Sequence, residues 1–316
     1  EGSVGFLAIG NVSGYQPGNA GRVDDTVPVV TTVGLTRRAA LARMAALLPA
    51  SAGVAASAQD ATLTPPDATG QFHSAALGEV RAFTVRLPAG YARAPRQRYP
   101  VVYVLDGPPL DAHTAEGAAA LAAAGQTPGL IVVGIPNMQR GGRARDFLPP
   151  FLSFTRRDGS PFTGGADRFL RFLRDELAPR IERDYRVARP RLLVGHSLGA
   201  IFVSYSVGAA PAVFDARFAH SPAIWRDEDA VAADLTRSLT AGHGRGTFFY
   251  LSVGEKEGGG LGEGYAKLHA VLRTRAAGAG LRWRAEVTPG AVHETNVRLA
   301  TPSALRAAFA TRPPGA

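Results

Sequence analysis

The chain of 316 residues contains no cysteine. It therefore forms no disulfide, has no thiolate nucleophile and offers no cysteine ligand to a metal, and it fits either redox compartment. Two nucleotide-binding motifs are also missing, because no G-x-G-x-x-G follows a predicted strand and there is no Walker A sequence. The sequence implies neither a metal nor another cofactor.

Lysine is almost absent, since Lys256 and Lys267 are the only lysines among 35 basic residues. The formal charge of +9 is carried by arginines that are scattered among alanines and prolines. Nucleic-acid-binding proteins concentrate positive charge in a patch or a stripe, so we do not expect a nucleic-acid partner. Apolar residues make up 46% of the chain and charged residues 19%, which excludes a disordered chain and predicts a sizeable core.

Long uninterrupted apolar runs are missing as well. The moderately apolar stretch at residues 39–56 is broken by Arg43 and Pro49. It is too short and too polar for a stable membrane span, so we expect no stable insertion into a membrane.

The N-terminal part of the chain resembles a twin-arginine export signal. Thr36-Arg37-Arg38 precedes the apolar stretch, and Ala56-Ser57-Ala58 has the small-x-small form that signal peptidase accepts. The alternative is an alanine-rich helix that belongs to the fold. We interpret the chain as four parts: an extension outside the native fold (1–35), a signal peptide cleaved after Ala58 (36–58), a linker (59–73) and a catalytic domain (74–316). A periplasmic or secreted protein is then expected.

Short apolar runs alternate with helical periodicity along the rest of the chain. Strands are predicted at residues 80–87, 99–107, 130–135, 191–194, 217–221, 248–253 and 281–287. Helices are predicted at residues 111–124, 166–185, 198–208, 265–277 and 302–310. Such alternation without a repeat period predicts an α/β fold with a doubly wound, mostly parallel sheet and helices on both faces.

One of these strands leads into the most informative motif of the chain. The apolar run at 191–194 feeds a G-x-S-x-G sequence from Gly195 to Gly199, which opens into a second apolar run. This is the signature of a nucleophile elbow, in which a sharp turn from strand to helix exposes the serine. We expect both glycines to be needed because the turn leaves no room for side chains there. Ser197 is the candidate nucleophile.

A serine hydroxyl needs a general base and an acid that orients the base. In the α/β-hydrolase order, the acid and then the histidine follow the serine on loops after later strands. His293 lies after the last predicted strand and is the candidate base. The other six histidines are less suitable: His73 and His113 precede the serine, His196 is inside the elbow, His220 precedes the acid, His243 lies in a glycine-rich loop and His269 in the middle of a helix. The loop after strand 248–253 offers Glu255 and Glu257, of which we prefer Glu257.

The oxyanion hole needs two backbone N–H groups that point at the developing negative charge. Leu198, directly after the nucleophile, supplies one. The second should come from the loop after strand 99–107, but Pro108 and Pro109 have no N–H group. Gly107 or Leu110 must then donate, and we select Gly107.

Several ordered motifs resemble the putative-esterase branch of the α/β-hydrolases. They are Tyr99-Pro-Val-Val-Tyr-Val-Leu-Asp-Gly107, Arg145-Asp-Phe-Leu-Pro149, the segment 169–179, Gly195-His-Ser-Leu-Gly199 and Ser221-Pro-Ala-Ile-Trp225. This branch includes periplasmic esterases that open catecholate siderophore trilactones such as enterobactin and salmochelin. The resemblance implies the α/β-hydrolase fold, and it places catalysis on Ser197, Glu257 and His293.

Two departures from the branch concern the oxyanion hole and the histidine loop. In the related mycolyltransferases the residue after the Asp-Gly pair donates the oxyanion N–H, but here this residue is Pro108. The histidine loop of siderophore esterases often reads His-Gly-Ser, whereas here it reads His293-Glu-Thr. Arg145 is a candidate grip for an anionic substrate or one half of an Arg-Asp pair that closes a turn. Trp225 lines the substrate pocket or belongs to the core.

The sequence thus predicts a serine esterase that cleaves a small-molecule ester through an acyl-enzyme, with a siderophore trilactone as one substrate class. The alternatives are an acyltransferase of the same fold, a general carboxylesterase and a non-catalytic binding protein of this fold. The oligomeric state is left open.

Overall fold

The computed structural model describes residues 66–310, apart from 138–141, 157 and 225–227. Within these residues, eight strands form one sheet in the order β1-β2-β4-β3-β7-β8-β9-β10. Its strands are β1 (Ala68–Ser74), β2 (Glu79–Arg86), β3 (Tyr99–Leu105), β4 (Ile131–Ile135), β7 (Val187–His196), β8 (Ala216–His220), β9 (Phe248–Gly254) and β10 (Arg282–Thr288). A separate antiparallel hairpin is made by β5 (Ser153–Thr155) and β6 (Pro161–Thr163).

Helices connect most of the strands. They are α1 (Leu110–Ala123), α2 (Gly142–Phe147), α3 (Ala166–Arg171), α4 (Ala178–Asp184), α5 (Leu198–Ala209), α6 (Glu228–Thr240), α7 (Gly260–Ala279) and α8 (His293–Phe309). A π-helical turn, Phe172–Leu177, joins α3 to α4. The six strands from β4 to β10 in the sheet order are parallel, whereas β1 and β2 are antiparallel at one edge. The predicted doubly wound, mostly parallel sheet is confirmed.

The centre of the sheet is buried on both faces, and its strands β3, β4 and β9 are buried at every position. In β3, Val101, Tyr103 and Leu105 join one apolar cluster, whereas Val102 and Val104 join the other. Successive side chains of a strand point to opposite faces, so a continuous apolar run supplies both. The α1 and α8 helices cover one face, and the helices from α2 to α7 cover the other.

Two element boundaries differ from those predicted. The β1 strand lies largely inside the predicted linker 59–73, where alternate residues pack inwards and Phe72 contacts Phe83 and Phe172. The α8 helix begins at His293, nine residues before the predicted start at residue 302. Pro302 lies inside this helix, and its ring packs beside Gly117 of α1, where a Cβ atom would lie 3.2 Å from it.

Candidate active site

Ser197 occupies a strained turn between β7 and α5. Its φ of 60° and ψ of −118° are unfavourable for a residue with a Cβ atom. A Cβ atom on Gly195 would lie 2.3 Å from the carbonyl oxygen of Gly199, so the turn requires glycine at this position. The strain and the close approach of the two backbones are those of a nucleophile elbow.

The second glycine of the elbow is under a weaker constraint than we predicted. A Cβ atom on Gly199 would lie 3.5 Å from the Leu105 side chain, which is ordinary van der Waals contact. The crowding is one-sided because the carbonyl group of Gly199 fills the space beside Gly195.

Glu257 and His293 form a hydrogen-bonded pair at the carboxyl ends of β9 and β10. His293 Nδ1 lies 2.9 Å from Glu257 Oε2, and the Glu257 side chain is only 1% exposed. The other carboxylate oxygen, Oε1, accepts hydrogen bonds from Ser221 Oγ at 2.7 Å and from the Gly254 N–H at 2.8 Å.

These donors determine the charge of Glu257. Burial by itself raises the pKa of its carboxyl group, but the hydrogen bonds from His293, Ser221 and the Gly254 N–H together lower this pKa below its ordinary value. Glu257 is therefore ionised at neutral pH. An ionised acceptor on Nδ1 leaves Nε2 of a neutral His293 free to accept a proton.

His293 is held next to the elbow by His196, the residue that precedes Ser197. The two imidazole rings lie 4.4 Å apart, and His196 Nε2 lies 2.8 Å from the carbonyl oxygen of His293. Because a carbonyl oxygen accepts, His196 must donate from Nε2. Burial, with a smaller effect from the charge of His293, lowers the pKa of His196 to about 4, so its ring stays neutral at physiological pH.

Ser197 Oγ and His293 Nε2 have no hydrogen-bond partner within the described ranges. Both atoms are thus available for a substrate and for each other. Hydrogen bonds between a nucleophile and its base often tighten only when the substrate is bound.

Glu255, the alternative acid, points elsewhere. Its Oε2 accepts a hydrogen bond from the Gly290 N–H at 2.7 Å, and the residue is exposed. It therefore ties the loop after β9 to the loop after β10, and Glu257 is the carboxylate that contacts His293.

Gly107, the predicted second oxyanion donor, follows β3 on a tight turn. Its φ is 58°, and a Cβ atom there would lie 2.8 Å from the backbone of Pro136, so only glycine fits. The alternative donor, Leu110, donates its N–H to the Gly107 carbonyl at 2.8 Å. Among the described residues, the Gly107 N–H has no acceptor and the Leu110 N–H is already used.

Arg143 on α2 links this turn to the elbow, and our sequence analysis missed it. Its guanidinium binds both carboxylate oxygens of Asp106 at 2.6 and 3.0 Å, and it also donates to the carbonyl oxygen of His196 at 2.9 Å. Asp106 precedes Gly107, and His196 precedes Ser197. One side chain thereby joins the residues that precede Gly107 and Ser197. The only signal in the sequence was an arginine two positions before the Arg145-Asp146 pair.

Arg145 is engaged in a cluster of charges at α2 and β2. It donates to both carboxylate oxygens of Glu79 at 2.6 and 3.0 Å and to Asp146 at 2.7 Å, and Arg81 donates to the same two acids. The hydrogen bond from Arg145 lowers the pKa of Glu79 to about 2. Since the guanidinium is used in these contacts, the arrangement corresponds to the Arg-Asp alternative, and we assign Arg145 no role in gripping a substrate.

These contacts predict that the same substitution affects catalysis at one position of α2 and stability at the other. Arg143→Lys should lower kcat about tenfold with little change in KM, because one ammonium group cannot hold Asp106 and the His196 carbonyl in the fork geometry of a guanidinium. Arg145→Lys should lower Tm by a few degrees and leave kcat near the wild-type value. Steady-state kinetics and thermal unfolding of both variants measure this, and equal kcat values for the two would contradict it.

An apolar cavity of about 520 Å³ opens beside the elbow. Leu198 and Ile201 of α5 line it together with Ala223 and Ile224, and Leu148 and Phe154 lie on the other side. The backbone nitrogen of Ala223 lies 3.4 Å from the carbonyl oxygen of Ser197, and Leu198 directly follows Ser197, so two lining residues adjoin the elbow. The described residues that line it carry no charge. Trp225, a predicted pocket residue, lies outside the described residues.

Neither a cluster suited to a metal ion nor a helix long and apolar enough to cross a membrane is found in the described part of the chain. The predicted signal and the extension before it (residues 1–58) lie outside that part.

A mostly parallel sheet covered on both faces, with a serine on a strained turn after a central strand, defines the class of the protein as an α/β-hydrolase. A comparison of its sequence with family models identifies the family within this class. The family model described as Putative esterase matches residues 74–294, which is more than half of the chain, and the chain belongs to this family.

Named relatives include esterases of siderophores. The chain is 30% identical over 194 residues to the ferri-bacillibactin esterase BesA of Bacillus subtilis (strain 168), which covers 57% of this chain and 67% of BesA. It is 33% identical over 107 residues to the siderophore enterobactin esterase of Emericella nidulans, which covers 31% of this chain and 35% of that protein. The chain thus matches about two thirds of the first relative and little more than one third of the second.

A solved structure with a similar fold is the IroE-like serine hydrolase from Shewanella oneidensis. Its TM-score is 0.65 and its sequence identity is 27%, over 76% of this chain and 78% of that one. The sequence-based expectation of an esterase of the α/β-hydrolase fold is confirmed by the family match and by this structural likeness.

Proposed function

We propose that the protein is a serine esterase that works through an acyl-enzyme on Ser197. The observation that supports this most directly is the Glu257–His293 pair, which His196 holds beside the elbow. Ser197 Oγ attacks the ester carbonyl while His293 Nε2 takes its proton. Glu257 keeps Nδ1 protonated and stabilises the imidazolium that forms.

The tetrahedral intermediate carries a negative oxygen that needs donors. The Leu198 N–H lies in the first turn of α5, where backbone N–H groups have no partner within the helix. The Gly107 N–H is the second donor, held in reach by the contacts of Arg143 with Asp106 and His196. When the intermediate collapses, the alcohol leaves with the proton from His293. Water then attacks the acyl-enzyme with His293 again as the base, and this restores Ser197.

For the substrate we propose a siderophore trilactone, whose ester bonds join one carboxyl group to the alcohol of the next unit. The support is similarity to relatives named as esterases of bacillibactin, enterobactin, triacetylfusarinine C and salmochelin. The first cleavage opens the ring, and once water has hydrolysed the acyl-enzyme the new carboxyl group and the new alcohol are on one linear molecule, which the same site can cleave again.

The experiment compares enterobactin, with and without iron, against p-nitrophenyl esters from acetate to decanoate. Products are followed by liquid chromatography and mass spectrometry, with Ser197→Ala as the blank for spontaneous hydrolysis. We expect kcat/KM for the trilactone to exceed that for the best p-nitrophenyl ester at least about tenfold, which corresponds to about 1.4 kcal/mol of transition-state binding. Equal or reversed values would reject the siderophore assignment.

A second candidate is a general carboxylesterase, which the apolar cavity of about 520 Å³ favours. Such a lining suits an alkyl or aryl acyl group, because each buried methylene contributes about 0.8 kcal/mol. In that case kcat/KM should rise with acyl chain length until the cavity is filled, and the trilactone should have no advantage.

A further inference from the structure

A chain of buried polar side chains lies behind Glu257, and the mechanism above does not use it. Its members are His220 at the end of β8, Ser221 directly after it, Ser252 in β9, and Asn296 and Thr301 in α8. All five are at most 2% exposed. Buried polar groups cost free energy unless they are hydrogen-bonded, so a line of five buried polar side chains in the core needs an explanation.

The hydrogen bonds connect these side chains in one line. Asn296 Nδ2 donates to Ser221 Oγ at 2.8 Å and to Ser252 Oγ at 3.1 Å. Ser221 Oγ donates to Glu257 Oε1 at 2.7 Å. On the other side, Ser252 Oγ lies 2.7 Å from His220 Nδ1, and His220 Nε2 lies 3.3 Å from Thr301 Oγ1.

The available protons fix the direction of every bond. The Thr301 hydroxyl donates to the Val297 carbonyl at 2.6 Å, so its oxygen must accept from His220 Nε2. His220 is then protonated on Nε2, and its Nδ1 accepts from Ser252. Burial lowers the pKa of His220 to about 3, which keeps the ring neutral as this pattern requires.

The orientation of the Asn296 amide follows from the same assignment of protons. The two serine protons are already used on Glu257 and His220, so both serine oxygens can only accept from Asn296. Its NH₂ group must therefore face them, and Asn296 Oδ1 is left without a partner among the described residues. A carboxylate at this position would reverse the polarity of the line.

Asn296 also lies one helical turn after His293, on the same helix. Its backbone N–H donates to Val292, the residue before His293, at 2.9 Å. Asn296 thus connects the start of α8, where His293 lies, to the Ser221 hydroxyl, which donates to Glu257.

We infer that Ser221, Asn296 and Ser252, anchored by the neutral His220, are positioning residues that keep the Glu257 carboxylate ionised and aimed at His293 Nδ1. This inference rests on the proposed function, because it assigns these residues to the acid of that reaction. Through Ser221 the line donates to Oε1, which leaves Oε2 for the imidazole. It also joins strand β9, which ends three residues before the acid, to helix α8, which begins with the base.

Other titratable groups surround the Glu257–His293 pair and are left unchanged by the test. His196 faces His293 from β7, and Asp106 and Arg143 act on His196 from the loop after β3 and from α2. His220 faces the pair from β8 through Ser252 and Asn296.

The test uses the full chain with Ser221→Ala and Asn296→Asp. Ser221→Ala removes one donor to the carboxylate, so the pKa of Glu257 should rise and the carboxylate should hold the imidazolium proton of His293 more tightly. The acidic limb of the kcat/KM profile, which reports protonation of the base, should then move up by about 1 pH unit, with kcat about tenfold lower and KM unchanged. Asn296→Asp keeps the shape, replaces the donor by an acceptor and adds a like charge. It should lower kcat about 100-fold and move the limb further in the same direction.

The matched control is Ser204→Ala, because Ser204 is a buried serine of α5 whose hydroxyl donates only to the Ala200 carbonyl. It should keep the wild-type pH profile. In a Glu257→Gln background, Ser221→Ala should have no further effect on kcat, because the hydroxyl acts through the carboxylate.

The outcomes separate this inference from the proposed function. If Ser197→Ala or Glu257→Gln keeps full activity, the proposed function fails. If both are inactive while Ser221→Ala and Asn296→Asp have the wild-type kcat and pH profile, only the positioning role fails. Loss of folding in both positioning variants, measured by circular dichroism, would assign the line to stability and overturn the positioning role as well.

Discussion

Ser197→Ala is expected to lower kcat for ester hydrolysis at least about 10⁴-fold, and it should also abolish labelling by a fluorophosphonate probe. The covalent route disappears with the hydroxyl, and what remains is the contribution of substrate binding and the oxyanion donors. The protein should still fold, because alanine lacks only the hydroxyl oxygen of serine and so introduces no new steric contact. The close approach that makes the turn possible is at Gly195, which is unchanged.

The measurement is a kcat determination with a p-nitrophenyl ester, together with the mass of the protein after treatment with the probe. The wild type should gain one phosphonyl group. Ser204→Ala, in the helix that follows Ser197, should be labelled and active like the wild type. Activity in Ser197→Ala within about tenfold of the wild-type value would reject Ser197 as the nucleophile, whatever the substrate.

The second large effect is expected from Glu257→Gln, with Glu255→Gln as its matched control. Both glutamates lie in the same loop, two residues apart, and only Glu257 contacts His293. Glutamine at 257 keeps the shape but removes the charge that stabilises the imidazolium, so kcat should fall by about 10³ to 10⁴. Glutamine at 255 keeps an oxygen that can accept from the Gly290 N–H, so kcat should stay within about twofold.

Steady-state kinetics at several pH values distinguish the two variants. A larger loss in Glu255→Gln, or equal losses in both, would mean that the acid has been assigned to the wrong carboxylate. If neither variant loses activity, the Ser-Glu-His mechanism of the proposed function is rejected.

Much of the fold could be predicted from the sequence because its signals are local. The continuous apolar runs that become β3, β4 and β9 need both faces covered, and this requirement by itself implies a parallel sheet between helices. The strand at β1 could not be predicted in the same way. Its exposed residues alternate with half-buried ones, and Phe72 finds its partners Phe83 and Phe172 only in the folded chain.

The start of α8 was also beyond prediction, for a related reason. Proline inside a helix is normally a strong signal for a boundary, and Pro302 is tolerated here beside Gly117, a residue that is far away in the sequence. Helix propensity depends on the local sequence and contains no information about a residue that packs from a distant helix.

Sequence alone determined the elbow and the order of the candidate catalytic side chains. A strand, a five-residue turn and a helix are encoded within about fifteen residues, and parallel strands bring their carboxyl ends to one edge, so residues after three strands meet there. Tertiary structure alone decided which of two neighbouring glutamates faces the imidazole, which of two arginines on α2 binds Asp106, and which buried hydroxyl donates to Glu257. These choices depend on contacts between residues 36 to 75 positions apart. Their distances follow from the packing of whole helices on the sheet, and no short stretch of sequence contains that information.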